Sequence, residues 1–153
     1  LPNHFGVDRA LGCLEALNVT ENPFQKNLLI ADCGTTLSIT KLTAQGTIIG
    51  GQIGPGFLTQ LKTMEKYTKN LKAPKKYDIP NQEFSINTED SMLKGVSNSL
   101  IGLINLSFDS AKDILIICGG DSELIGSRLN QKNKDIVIAP NLVMQGMISL
   151  LNK

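Results

Sequence analysis

Three strand-like stretches, residues 28–32, 36–42 and 47–53, follow one another before any helix intervenes. The last two are joined by Thr43-Ala44-Gln45-Gly46, a hairpin-like turn. An antiparallel opening of this kind argues against a plain doubly wound sheet, in which strands alternate with helices from the start. After residue 53 the pattern changes. Leu58, Leu61, Met64 and Tyr67 fall at helical spacing, and Met92, Val96, Leu100 and Leu103 mark a further helix. That helix starts near Asn87 or Thr88, with a capping residue followed by two acids that suit a helix N-terminus. A continuous apolar strand, Ile114 to Cys118, comes next, then a short helix and a strand at 135–139. The final helix is expected from Pro140 to Leu151, with Pro140 in its first turn. Ahead of all these, Ala10, Leu11, Leu14 and Leu17 predict a helix from about Val7 to Leu17, separated from the first strand by a turn-rich connection.

The order is therefore one helix followed by β-β-β-α-α-β-α-β-α. Its β-β-β-α-β-α-β core is the ribonuclease H-like arrangement, an α/β fold with a mixed sheet and flanking helices, and the extra helix is an insertion. At 153 residues, 41% hydrophobic and 19% charged, the chain is globular and long enough to bury a core. A net charge of +1 gives no electrostatic reason to bind nucleic acid or a membrane surface. No apolar run in these residues approaches the ~20 residues of a membrane span, and no signal peptide is expected among them. Cys13, Cys33 and Cys118 lie far apart without a Cys-x-x-Cys pair, and His4 is the only histidine, so a zinc site lacks ligands. These cysteines are expected as small buried thiols in a reducing cytoplasm. The chain opens at Leu1 as if within a longer protein. Residues 72–85, with two prolines and three lysines, read either as a solvated loop or as a functional one.

Four short motifs carry possible chemistry. Asp32-Cys33-Gly34-Thr35-Thr36 interrupts the first strand at its exit. Glycine lets a backbone approach an oxygen-rich ligand, and threonine hydroxyls and turn N–H groups donate hydrogen bonds to it. Asp32 cannot bind phosphate directly, yet it can hold the cation that does. A simple hairpin turn explains the same residues. Gly6-Val7-Asp8-Arg9 stands at the start of the first helix. There Asp8 either complements the helix dipole or serves as a base, with Arg9 gripping a carboxylate. Residues 50–56, Gly-Gly-Gln-Ile-Gly-Pro-Gly, form a close-packed turn or a pocket wall. Cys118-Gly119-Gly120-Asp121 ends a buried strand at the edge where open α/β sheets bind ligands. No P-loop occurs.

Taken in order with Asn87-Thr88-Glu89-Asp90, these motifs resemble those of the type III pantothenate kinases. That family belongs to the acetate/sugar kinase, heat-shock ATPase and actin superfamily of paired ribonuclease H-like domains. The resemblance implies that Gly6, Val7, Asp8 and Arg9 bind pantothenate, with Asp8 as proton acceptor and Arg9 on the carboxylate. It implies a monovalent cation, potassium or ammonium, on Asp32, and ATP phosphates against Gly34 and Thr35. Gly119 and Gly120 match the nucleotide-side glycines, and Thr88 matches a threonine that touches pantothenate. ATP, Mg2+ and the monovalent cation are the implied cofactors, and a homodimer with its substrate pocket near the dimer interface is the implied assembly. Cys33 and Thr36 stand where the family often has alanine. The family's first phosphate loop, Asp-x-Gly-Asn-Thr, does not occur in these residues. Residues 1–24 are thus expected as a connecting helix and turn from a missing N-terminal domain. Residues 25–153 would be the C-terminal ribonuclease H-like domain, the second half of an actin-like two-domain kinase.

The implied reaction is ATP plus pantothenate giving 4′-phosphopantothenate and ADP, the first step toward coenzyme A, with the isolated chain impaired. A non-catalytic regulatory or binding relative is the alternative. A kinase of the same superfamily acting on another hydroxyl acceptor is a third, because a fold does not fix its substrate.

Overall fold

The computed structural model describes residues 6–129 and 135–152; His4 lies outside them. In chain order the elements are α1 (Val7–Val19), β1 (Asn27–Cys33), β2 (Thr36–Leu42), β3 (Ile48–Pro55) and α2 (Phe57–Tyr67). They continue with α3 (Thr88–Ser107), β4 (Asp113–Cys118), α4 (Ser122–Gly126), β5 (Ile136–Ile138) and α5 (Leu142–Leu151). The strands form one sheet in the order β3-β2-β1-β4-β5. Short turns make β1, β2 and β3 antiparallel, while helical crossovers bring β4 in parallel beside β1 and β5 in parallel beside β4. This is the ribonuclease H-like arrangement that the element order predicts.

Side chains alternate across the sheet, so each strand feeds two cores. Leu28 and Ile30 of β1, with Ile114, Ile116 and Cys118 of β4, pack under Cys13 and Ala16 of α1 and Leu142 of α5. Leu29, Ala31 and Cys33 face the other way, with Leu115 and Ile117, into Phe57 and Leu61 of α2, Val96, Leu100 and Ile104 of α3, and Ile125 of α4. β4 is buried along its whole length, which explains its unbroken apolar sequence. Asp32 follows the alternation of Leu28 and Ile30 and therefore belongs to the α1 and α5 face.

Asn87 caps α3 as expected, its side-chain oxygen accepting from the backbone N–H of Glu89 at 2.8 Å and of Asp90 at 3.2 Å. Pro140 departs from expectation. It lies outside the helix, with Asn141 at the cap and α5 beginning at Leu142. Instead, its carbonyl accepts from the backbone N–H of Gly119 at 3.2 Å and ties the β5 exit to the β4 exit. Between α2 and α3 the chain has no regular element but is anchored. Ile79 is buried, Tyr77 meets Phe57 edge to face at 6.0 Å, and the Ile79 carbonyl accepts from Arg128 Nη2 at 2.7 Å. All three cysteines are free and buried.

Candidate active site at the exit of β1

The carboxyl ends of β1 and β4 lie side by side, with Asp32 opposite Cys118. Three backbone features fix them. Gly119 has φ +88°, and a Cβ there would strike Asp32 Oδ1 and the Cys33 carbonyl. The backbone N–H of Asp121 donates to that same carbonyl at 2.9 Å. The Gly34–Thr35 turn is held from the other side, since the Thr35 carbonyl accepts from Gly56 N–H at 2.9 Å and from Thr59 Oγ1 at 2.6 Å. Any side chain at Gly56 would collide with the Gly34 carbonyl. Of the glycines in residues 50–56, Gly56 thus serves close packing of the β3–α2 junction against the turn, and Gly51 close approach to the Ile39 carbonyl and Arg9.

On the α1 side of this exit, Asp8, Arg9, Asp32, Ser38 and Thr40 line one narrow crevice. α1 brings the first two, because Gly6 stands at its cap and Val7 begins it with an exposed side chain. Arg9 Nε donates to Thr40 Oγ1 at 3.1 Å, and Arg9 Nη2 reaches so near Gly51 that a Cβ there would lie 2.5 Å away. The guanidinium is thereby laid across β2 and β3. Burial raises the pKa of Asp32, and the facing Asp8 raises it further. A bound cation between such carboxylates relieves that repulsion.

On the opposite side, Gly34, Thr35, Thr59, Lys62, Lys66, Gly120 and Asp121 line a second cleft of about 520 Å³. It offers a glycine-rich turn, the hydroxyls of Thr35 and Thr63, and two lysines one helical turn apart on α2, the donors a polyphosphate needs, while the Thr59 hydroxyl is already given to the Thr35 carbonyl. Asp121 occupies the cap position of α4 without a side-chain capping bond, and burial raises its pKa. Its carboxyl lines the cleft and makes no capping bond, so it could hold a metal ion there. The neighbouring thiols are inert, since burial pushes Cys33 up to about 12 and Cys13 to about 11.

The structure brings together Asp8, Arg9 and Asp32 in the crevice, and Gly34, Thr35 and Gly120 in the cleft. Gly119 lies between the two. Thr88 is in neither. It lines an apolar groove of about 600 Å³ between α2 and α3 with Pro55, Met64, Leu71, Met92 and Val96. Motif reading did not single out Ser38, Thr40, Lys62 or Lys66, and it gave Asp121 only as the last residue of the Cys118–Asp121 strand-exit motif. The lysine spacing on a helix directly after the Gly-Pro-Gly turn was the available signal for two of them.

Comparison with known proteins bears on family and fold. The family model for type III pantothenate kinase matches residues 1–109. A type III pantothenate kinase of Christiangramia forsetii is 33% identical over 156 residues, covering 98% of this chain and 61% of that protein. One from Porphyromonas gingivalis is 27% identical, covering 95% of this chain and 60% of that protein. The chain therefore spans about 60% of the length of such relatives. Among solved structures, a conserved Campylobacter jejuni protein assigned to the Baf family of transcriptional activators superposes with a TM-score of 0.72 at 18% identity. It covers 99% of this chain and 66% of that one. An archaeal actin homolog gives 0.63 at 17% identity, with 94% and 54% covered. These likenesses show an actin-like fold. By its sequence match, the chain belongs to the type III pantothenate kinase family.

Proposed function

We propose that the whole protein transfers the γ-phosphoryl group of ATP to the primary hydroxyl of pantothenate, giving 4′-phosphopantothenate and ADP. One observation carries the reading: the β1 exit separates an acid-bearing crevice, lined by Asp32, from a lysine-bearing cleft, lined by the Gly34–Thr35 turn. An acceptor on one side and a polyphosphate on the other can meet in line there. Phosphoryl transfer asks the protein for positioning and charge neutralisation more than for covalent chemistry.

In this reading Asp8 takes the proton of the acceptor hydroxyl as its oxygen bonds to the γ-phosphorus and the bond to the β–γ bridging oxygen breaks. Arg9, fixed by Thr40, engages the pantothenate carboxylate near Gly6 and Val7. Thr35, Gly34, Gly119 and Gly120 hold the nucleotide, with Lys62 and Lys66 neutralising its phosphates. Asp121 would hold Mg2+ at the cleft, where the ion would supply positive charge to offset the charge of the phosphates. A monovalent cation would rest on Asp32. Thr88 lines a different groove of the chain, and a pantothenate contact from it would come from the second copy of a homodimer. Free buried thiols suit a cytoplasmic protein.

A coupled ADP-release assay on the full-length protein tests the proposal, with Mg-ATP, potassium and with or without pantothenate. Turnover that depends on pantothenate supports it. A folded protein that binds ATP and shows no such turnover contradicts it and leaves the non-catalytic, regulatory reading.

A further inference from the structure

Ser38 is an anomaly among the polar residues of the sheet. The residue is only 7% exposed, yet Oγ has no hydrogen-bond partner. Buried hydroxyls almost always have one. The β1–β2 register sets Ser38 directly opposite Asp32, and residues so paired share a face of the sheet. Both line the crevice that Asp8 and Arg9 close from α1. The neighbouring Thr40 hydroxyl, two residues on, is engaged by Arg9. Ser38 is the hydroxyl left over.

We propose that Ser38 Oγ is a ligand of the monovalent cation carried by Asp32, and that it sets the affinity of that site. The statement rests on the cation assignment above and adds a residue to it. Charge selects the ion: two carboxylates and one guanidinium line the crevice, and a single positive charge balances them. A divalent ion would be opposed by Arg9 at close quarters and would demand a fuller oxygen shell. Size agrees, since the crevice leaves about 10 Å³, space on the order of one water-sized particle. Ser38 and Asp32 supply oxygens from the two strands, Asp8 supplies charge from across the crevice, and solvent or substrate completes the shell.

The test is thermal unfolding of the full-length protein while potassium chloride replaces choline chloride at constant ionic strength. The midpoint of the wild type should rise with potassium, because a ligand bound only to the native state stabilises it. Ser38→Ala should need about tenfold more potassium for the same rise, Ser38→Thr should stay within about threefold of wild type, and Asp32→Asn should not respond. In choline chloride alone Ser38→Ala should unfold no earlier than wild type, since it removes a hydroxyl that has no partner. If Ser38→Ala follows the wild-type potassium curve while Asp32→Asn does not respond, Ser38 is not a ligand and the proposal fails alone. If the wild type itself shows no difference between potassium and choline, the crevice holds water or nothing, and the cation assignment fails with it. Pantothenate-dependent ADP release would still stand in that case as a separate result.

Discussion

Asp32 is half-buried at the end of β1 and faces a second carboxylate, and both circumstances disfavour its charge. Its folded pKa lies above the ordinary carboxylate value of 3.8. The native state therefore binds more protons than the unfolded state between 3.8 and that raised value. The stability linked to this group is present below 3.8 and is lost as pH rises through the folded pKa. Asp121 adds a shift of the same sign from burial alone. In the absence of potassium, Asp32→Asn should raise the unfolding temperature at pH 7 and flatten the decline in stability above pH 4, roughly the ordinary carboxylate range. Urea unfolding at a series of pH values in choline buffer checks this. An asparagine variant less stable than wild type at pH 7 would mean that Asp32 is held by a structural partner. Gly119 shows how closely the chain is fitted around this acid, since no L side chain could occupy its positive φ without striking Asp32.

The elements differ in how visible they are before the structure is known. The hairpin turns, the apolar run of β4 and the periodic faces of α2 and α3 are local signals, and all were legible. The cap of α3 was legible too, because Asn87 and the acids after it act within one turn. The start of α5 was misread. A proline before a helix can occupy the first turn, but Pro140 is instead used to tie the strand exits, which is a tertiary fact. The two asparagine caps allow a matched comparison. Asn87→Ala should cost about 1 kcal/mol, since two N–H groups lose their acceptor. Asn141 makes no side-chain capping bond. Asn141→Ala should therefore change stability by less than about 0.5 kcal/mol. Midpoints of urea unfolding at unchanged slope separate the two; equal losses would show that cap geometry is not what these asparagines supply.

At the scale of the whole molecule, the sheet order places β1 and β4 side by side and so sets both clefts at their carboxyl edge, where α/β sheets bind ligands. The motifs that name this edge, Asp8-Arg9, Asp32 to Thr35 and Gly119-Gly120, were readable because each is short and contiguous. The crevice itself was not. Ser38 meets Asp32 only once the β1–β2 register pairs Cys33 with Leu37. Lys62 and Lys66 join the cleft beside Gly34 and Thr35 only once α2 is packed beside the turn. Thr88 sits in a groove of its own, and sequence order gave no sign of that separation. The central claim is phosphoryl transfer from ATP to pantothenate with Asp8 as base, and the product reports on it most directly. Phosphorus-31 NMR of the full-length protein with Mg-ATP, potassium and pantothenate should show a phosphomonoester signal growing as the γ-phosphate signal of ATP falls. Asp8→Asn should slow it by about 10²- to 10⁴-fold, the usual worth of a positioned base. Release of inorganic phosphate alone, or an Asp8→Asn variant as fast as the wild type, would contradict the account.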